Sequence, residues 1–174
     1  MNVRQFLTVL MISVLAVSCS SSSSHELPGT ICGTPINPAI TRPLLTSAED
    51  FSEFTRVDRS EAITAPCVLL SGHDPVLDFQ FSWDDTARDL MYLAKDTGSI
   101  SGIREPREID FTYKTIVGTD GAISIAPCKT NGGKYFTLTL QVPQIGLMDQ
   151  THRKDIERFM QAYFPATLKT LGCK

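Results

Sequence analysis

The chain has 174 residues, of which 42% are hydrophobic and 20% charged, with 16 Lys+Arg against 19 Asp+Glu. That length suits one ordinary domain, and the balance of apolar and charged residues excludes a disordered, collagenous or coiled-coil chain. A formal charge of −3 and a sequence pI of about 5.6 exclude generic nucleic-acid binding, which needs a basic excess to neutralise phosphates.

Residues 1–18 have the layout of a lipoprotein signal peptide. Arg4 precedes an apolar run from Phe6 to Val17, the order of a positive segment and an apolar core found in export signals. The run is shorter than the roughly 17–25 residues a membrane-spanning helix needs, and Ser18, Cys19 and the serines Ser20 to Ser24 stop it. Ala16-Val17-Ser18-Cys19 resembles the lipobox of bacterial lipoproteins, with Ala16 where Leu is usual and Leu15 one place earlier. The resemblance implies cleavage before Cys19, acylation of its thiol with palmitate-type chains, and a lipid anchor in the cell membrane outside the cytoplasm. At about 0.8 kcal/mol per buried methylene, two or three chains on one Cys give stable anchoring.

Residues 19–46 read as the lipidated Cys and a flexible Ser/Pro-rich tether. His25 lies within it, and Pro28, Pro35, Pro38 and Pro43 are spaced too closely for regular structure. A single α+β domain is expected over 47–174. Ser47 as a cap with Asp50 three residues on, and Phe51 and Phe54 on one face, predict a short helix. Cys67 to Ser71 and Val76 to Trp83 predict a hairpin across Gly72–Pro75. In its second strand Leu77, Phe79, Phe81 and Trp83 fall on one face, expected to be buried, and Val76, Asp78, Gln80 and Ser82 on the other, mostly polar one. Asp84 or Asp85 then caps a helix on which Ala87, Leu90, Met91 and Ala94 recur, ending near Gly98 before a polar loop over 98–108.

Three further strands form a meander: Ile109 to Val117, Ala122 to Pro127 and Tyr135 to Val142, with glycine turns at 118–121 and 130–133. Thr151 to Leu171 reads as a helix with an apolar stripe of Ile156, Phe159, Met160, Tyr163 and Phe164. Pro165 is expected to kink or restart it, and Gly172 to stop it. Strands with one apolar face need a cover, so the expected architecture is a two-layer α+β sandwich: about five antiparallel strands with helices packed on one face.

With Cys19 acylated, Cys32, Cys67, Cys128 and Cys173 remain, an even number that outside the cytoplasm implies two disulfides. Four cysteines allow three pairings, which the sequence does not resolve. Cys32–Cys173 with Cys67–Cys128 is the favoured one, since it would tie the start of the domain to its end and join two predicted strands. No Cys-x-x-Cys and no His pair at ligand spacing points to zinc.

Ala65-Pro66-Cys67-Val68-Leu69-Leu70, Pro127-Cys128, the C-terminal run Arg158 to Cys173 and the lipobox-like start resemble actinobacterial secreted and cell-envelope lipoproteins of unknown function. The resemblance implies a small extracytoplasmic α+β domain, similar in plan to the sensor domains of membrane kinases. It carries over no catalytic residue.

For chemistry, His73 beside Asp74 could serve as a base or ligate a metal, but neighbours in a turn diverge, and a polar hairpin tip explains both. His152 reads as a first-turn helix residue. No Gly-x-Ser-x-Gly supports a Ser-His-Asp hydrolase. Asp84, Asp85 and Asp89 could hold a hard cation, yet capping accounts for them. No phosphate-binding loop is present, so no cofactor or metal is expected. The remaining candidate is the wet face of the sheet. Asp78, Gln80, Ser82, Asp110, Thr112, Lys114, Thr137, Thr139 and Gln141 would line it and could bind an envelope protein, peptide or glycan. Arg104 and Arg107, with Lys95 near in sequence, offer a second place for an anionic partner. The expected function is therefore a membrane-anchored, non-catalytic binding or accessory module of the cell envelope. An envelope hydrolase using His73 or the acidic cluster is the alternative.

Overall fold

A computed structural model describes residues 26–46, 50–59, 62–95, 102–130, 132–145 and 151–173. In chain order the elements are β1 (Thr30–Ile31), β2 (Thr34–Pro35), α1 (Pro38–Thr41) with a 3-10 turn over Arg42–Leu44, β3 (Phe51–Thr55), β4 (Thr64–Ser71), β5 (Asp74–Asp84), α2 (Leu90–Lys95), β6 (Arg107–Glu108), β7 (Lys114–Val117), β8 (Gly121–Thr130), β9 (Gly133–Gln141) and α3 (Arg153–Thr170).

β1 and β2 form a small hairpin, and the other strands form one seven-stranded sheet in the order β3-β4-β5-β9-β8-β7-β6, with every pair antiparallel. The sheet is thus larger than the five strands expected. It consists of two meanders, β3-β4-β5 and β6-β7-β8-β9, joined where β9 returns to pair with β5. The two strands in the middle are the two with the clearest alternation. Leu77, Phe79, Phe81 and Trp83 of β5 lie opposite or diagonal to Phe136, Leu138 and Leu140 of β9, all buried on the face that α3 covers. Phe79 stacks on Tyr163 at 5.0 Å and Phe136 on Phe164 at 5.8 Å, so helix and sheet share one aromatic core. α3 runs through Pro165 without a break. The carbonyl that Pro165 leaves without a partner belongs to Gln161, on the exposed side of the helix where water can take over its bonding.

The β4–β5 turn is two residues long, with Gly72 at φ +62°, a conformation in which a side chain is disfavoured. Elsewhere the expectations need correction. Residues 51–55 are a strand and not part of a helix, because their backbone pairs with β4 from Phe51↔Ser71 to Thr55↔Cys67, a tertiary ladder that overrides local preference; Ser47 lies outside the described residues. Only 114–117 of the expected strand 109–117 is a strand. Before it, Phe111 and Tyr113 turn inward, and Tyr113 meets Phe164 edge-on at 5.1 Å. α2 begins at Leu90, capped by Asp89, whose Oδ1 accepts from the backbone N–H of Met91 and Tyr92 at 2.9 and 3.2 Å. Asp84 instead ends β5 and pairs with Arg88 at 2.6 Å.

Residues 27–46, expected as tether, belong to the folded body. Leu27, Ile31, Ile36 and Leu44 are buried, and the last three join the main core cluster. The proline spacing that argued for a linker instead fits one turn of helix capped by Asn37, whose Oδ1 accepts from Ala39 N at 2.9 Å.

Two disulfides are present, Cys32–Cys67 and Cys128–Cys173, with Cα separations of 6.0 and 4.8 Å. The favoured pairing is thereby corrected. Cys67 on β4 and Cys128 on β8 are separated by β5 and β9, three strand spacings or about 14 Å, twice the reach of a disulfide. The bridges indicate an oxidising, extracytoplasmic environment. No helix among the described residues is long and apolar enough to cross a membrane.

Candidate functional site

The face of the sheet turned away from α3, here the outer face, is covered unevenly. On its β7–β8 side Ile116, Ile123 and Ile125 pack with Leu90 and Ala94 of α2 and with Ile103, so helices lie on both faces of the sheet and not on one. On its β3–β5 side the register places Phe54, Val68, Asp78 and Gln141 in one cross-strand row, and Pro66, Gln80 and Thr139 in the next. The β3–β5 members of those rows line a shallow groove of about 520 Å³, with Arg56 and Val57 beside Phe54 at its rim. Phe54 is 50% and Val57 42% exposed, so apolar surface open to water flanks the groove.

Charge in the groove is sparse. The Asp78 carboxyl is half-buried, and burial raises its pKa above the usual 3.8 by withdrawing water from the ionised form. Arg56 holds its guanidinium 5.5 Å above the Phe54 ring, a cation–π contact that leaves the charge solvated. The Gln80 amide donates to Phe81 O at 3.3 Å.

A second, smaller pocket of about 230 Å³ opens on the other face beside the Cys32–Cys67 bridge, with Glu53, Asp58 and Arg59 around it. Cys32, Glu53 and Cys67 stand close enough to suggest a metal site, but both sulfurs are consumed in the disulfide and have no thiolate to offer. Glu53 accepts from Cys32 N at 2.9 Å, and Arg59 bonds Thr34 Oγ1, Gly33 O and Thr170 Oγ1 at 2.7, 2.6 and 2.9 Å. The polar groups here hold segments of the domain together.

Of the residues expected to bind, Asp78, Gln80, Thr139, Ser82 and Gln141 share the outer face on the adjacent strands β5 and β9. Thr137 shares it too but is buried, its hydroxyl without a hydrogen bond among the described residues. Lys114, exposed on β7, pairs with Ile125 of β8 on the half of the face that α2 covers, away from the groove, and Asp110 and Thr112 lie outside the strands. Arg104 is engaged by Asp120, with its guanidinium at 3.4 Å and its backbone N–H at 2.9 Å. Arg107 is an exposed residue of β6 at the sheet edge. His73 is exposed at the β4–β5 turn and lines neither pocket; His152 stands at the N-cap position of α3 without a capping bond from its side chain. Cys19 and His25 lie outside the described residues.

The residues missed by sequence reasoning are Phe54, Arg56, Val57 and Val68. For Phe54, Arg56 and Val57 the composition of 51–57 is mixed and non-alternating and does not announce a strand, whereas Val68 lies in the expected strand Cys67 to Ser71 and its face follows from its pairing with Asp78. In comparisons with known proteins, no family model, no curated protein and no solved structure matches this chain.

Proposed function

We propose that the protein is a lipoprotein held to the outer side of the cell membrane through Cys19, and that its α+β domain is a non-catalytic module that docks an envelope partner in the β3–β5 groove. The observation that carries the binding role is the uneven cover of the outer face: α2 and Ile103 close the β7–β8 half, while Phe54 and Val57 stay exposed beside Val68. Exposed apolar side chains around a partly desolvated polar group are the arrangement from which a partner gains most on docking. The two disulfides support a station outside the cytoplasm, and the lipobox-like residues 16–19 support the anchor.

The anchor is tested by labelling cells with a clickable palmitate analogue: the native chain takes up label, the Cys19→Ser chain does not, and an unlabelled native chain overturns it. The groove is tested by capture from envelope extracts with the intact protein and a Phe54→Ser/Val57→Ser variant. A partner retained by the first and lost by the second is expected. Equal capture by both removes the groove from the function.

A further inference from the structure

Resting on the groove as the docking site, we propose that its ligand is an extended polypeptide segment that places a basic side chain on Asp78 and an apolar side chain, two residues away on the same face, on Phe54 and Val68. The register fixes the layout. Phe54, Val68 and Asp78 are successive members of one row across β3, β4 and β5, so ring and carboxyl stand two strand spacings, about 10 Å, apart with an apolar floor between them.

Asp78 has no ion pair and no side-chain hydrogen bond among the described residues, whereas Asp84, Asp120, Glu105 and Asp155 are each paired with an arginine. Its nearest cross-strand neighbours are the apolar Val68 and the neutral Gln141. The cation in the groove, Arg56, is placed over Phe54. A half-buried carboxylate next to apolar surface has lost part of its hydration without gaining a counter-charge, and an arriving ammonium or guanidinium supplies it. The groove is shallow and open across three strands. Small molecules are usually held in concave pockets that bury most of their surface, whereas an extended chain can lie across such a floor and turn to it an apolar and a basic side chain two residues apart, about 7 Å along the backbone, with the long stem of the basic residue spanning the rest.

The probe is a fluorescein-labelled, end-blocked hexapeptide of valines and leucines with one central lysine, compared by anisotropy with its glutamine and glutamate counterparts on the intact protein. The lysine peptide is expected to bind about tenfold tighter than the glutamine one. Asp78→Asn removes that difference, and Asp78→Lys reverses it in favour of glutamate; thermal melts confirm that both variants are folded. Equal binding of all three peptides, or binding of none, overturns the basic ligand. If the peptides bind equally and Phe54→Ser abolishes all of them, the groove stands and only its charge preference falls. If Phe54→Ser changes nothing, the groove falls too.

Discussion

Arg59 donates to Thr170 Oγ1 at 2.9 Å across 111 residues of chain, fastening the segment after β3 to the last turn of α3. The same guanidinium donates to Gly33 O and Thr34 Oγ1 and lies 5.5 Å over the Phe81 ring. Thr167 donates to Tyr163 O, so the Thr34 hydroxyl, 3.0 Å from Thr167 Oγ1, accepts from Arg59 and donates to Thr167. Tyr163 in turn donates to Ile31 O at 2.9 Å, and burial pushes its phenol above the usual pKa. One chain of directed hydrogen bonds thus joins the N-terminal hairpin, the β3–β4 segment and the C-terminal helix.

Arg59→Met is therefore expected to lower stability by about 2–3 kcal/mol, since it strips partners from acceptors in a partly buried network. Arg59→Lys is expected to recover less than half of that, because a single ammonium cannot match the planar fork that reaches three acceptors. Urea midpoints of the three proteins measure this; an unchanged midpoint for Arg59→Met contradicts the network's role.

Asp78 makes stability depend on pH in a definite direction. Its pKa is raised by burial, so the folded chain holds this proton more tightly than the unfolded chain. The resulting stabilisation is complete below the unfolded pKa of about 3.9 and is lost as pH rises through the folded value. Asp78→Asn never ionises and is expected to be more stable than the native protein at pH 7. The gain is limited to a few tenths of a kcal/mol because the site is half open to water. Paired denaturation curves at pH 7 and pH 3 are the measurement: a gain at the first that disappears at the second agrees with the argument, and a loss at pH 7 refutes it.

The two disulfides hold different ends of the domain. Cys32–Cys67 closes 35 residues and pins the N-terminal segment to β4, while Cys128–Cys173 closes 45 and pins the end of α3 to β8. Chain entropy assigns about 4 kcal/mol to each. A non-reduced digest is expected to yield the peptide pairs 32–67 and 128–173. Replacing Cys128 and Cys173 together by Ser is expected to speed amide exchange in the last turn of α3, at Leu168 and Leu171, more than in β4. Finding Cys32 joined to Cys173 would overturn the connectivity.

What the sequence made legible follows from how local each signal is. The β4–β5 and β8–β9 hairpins rest on alternation and glycine turns a few residues apart, and both formed as expected. The local pattern of 51–55 points to a helix because the pairing partner, not the segment's own sequence, makes β3 a strand. The disulfide pairing depends on strand order, which brings β9 between β5 and β8 and is not written in any short window. Alternation along β5 suffices to put Asp78 and Gln80 on the outer face, whereas Phe54 and Val57 reach it only through the pairing of β3 with β4. The closing of the far half of that face had a readable cue: β8 carries Ile123 and Ile125 on one side and Ala122 and Ala126 on the other, all buried, and a strand apolar on both faces needs cover on both.

Gly118 offers a sharper test of how residues 102–108 are fixed. A Cβ at this position would come within 2.3 Å of both Arg104 O and Ile103 Cγ2, where the chain crosses the β7–β8 turn and Thr119 donates to Arg104 O at 3.0 Å. Backbone cannot yield as a flexible side chain can, so Gly118→Ala is expected to cost about 3 kcal/mol or more. At Gly29 an added Cβ meets nothing within 4 Å, and Gly29→Ala is expected to be neutral to within about 0.5 kcal/mol. The contrast separates steric exclusion from the general effect of removing a glycine. It also bears on Arg104, whose segment is locked by this crossing and whose guanidinium is committed to Asp120. If thermal melts show Gly118→Ala as stable as Gly29→Ala, the crossing is loose, and Arg104 regains the freedom that an anion-binding loop would need.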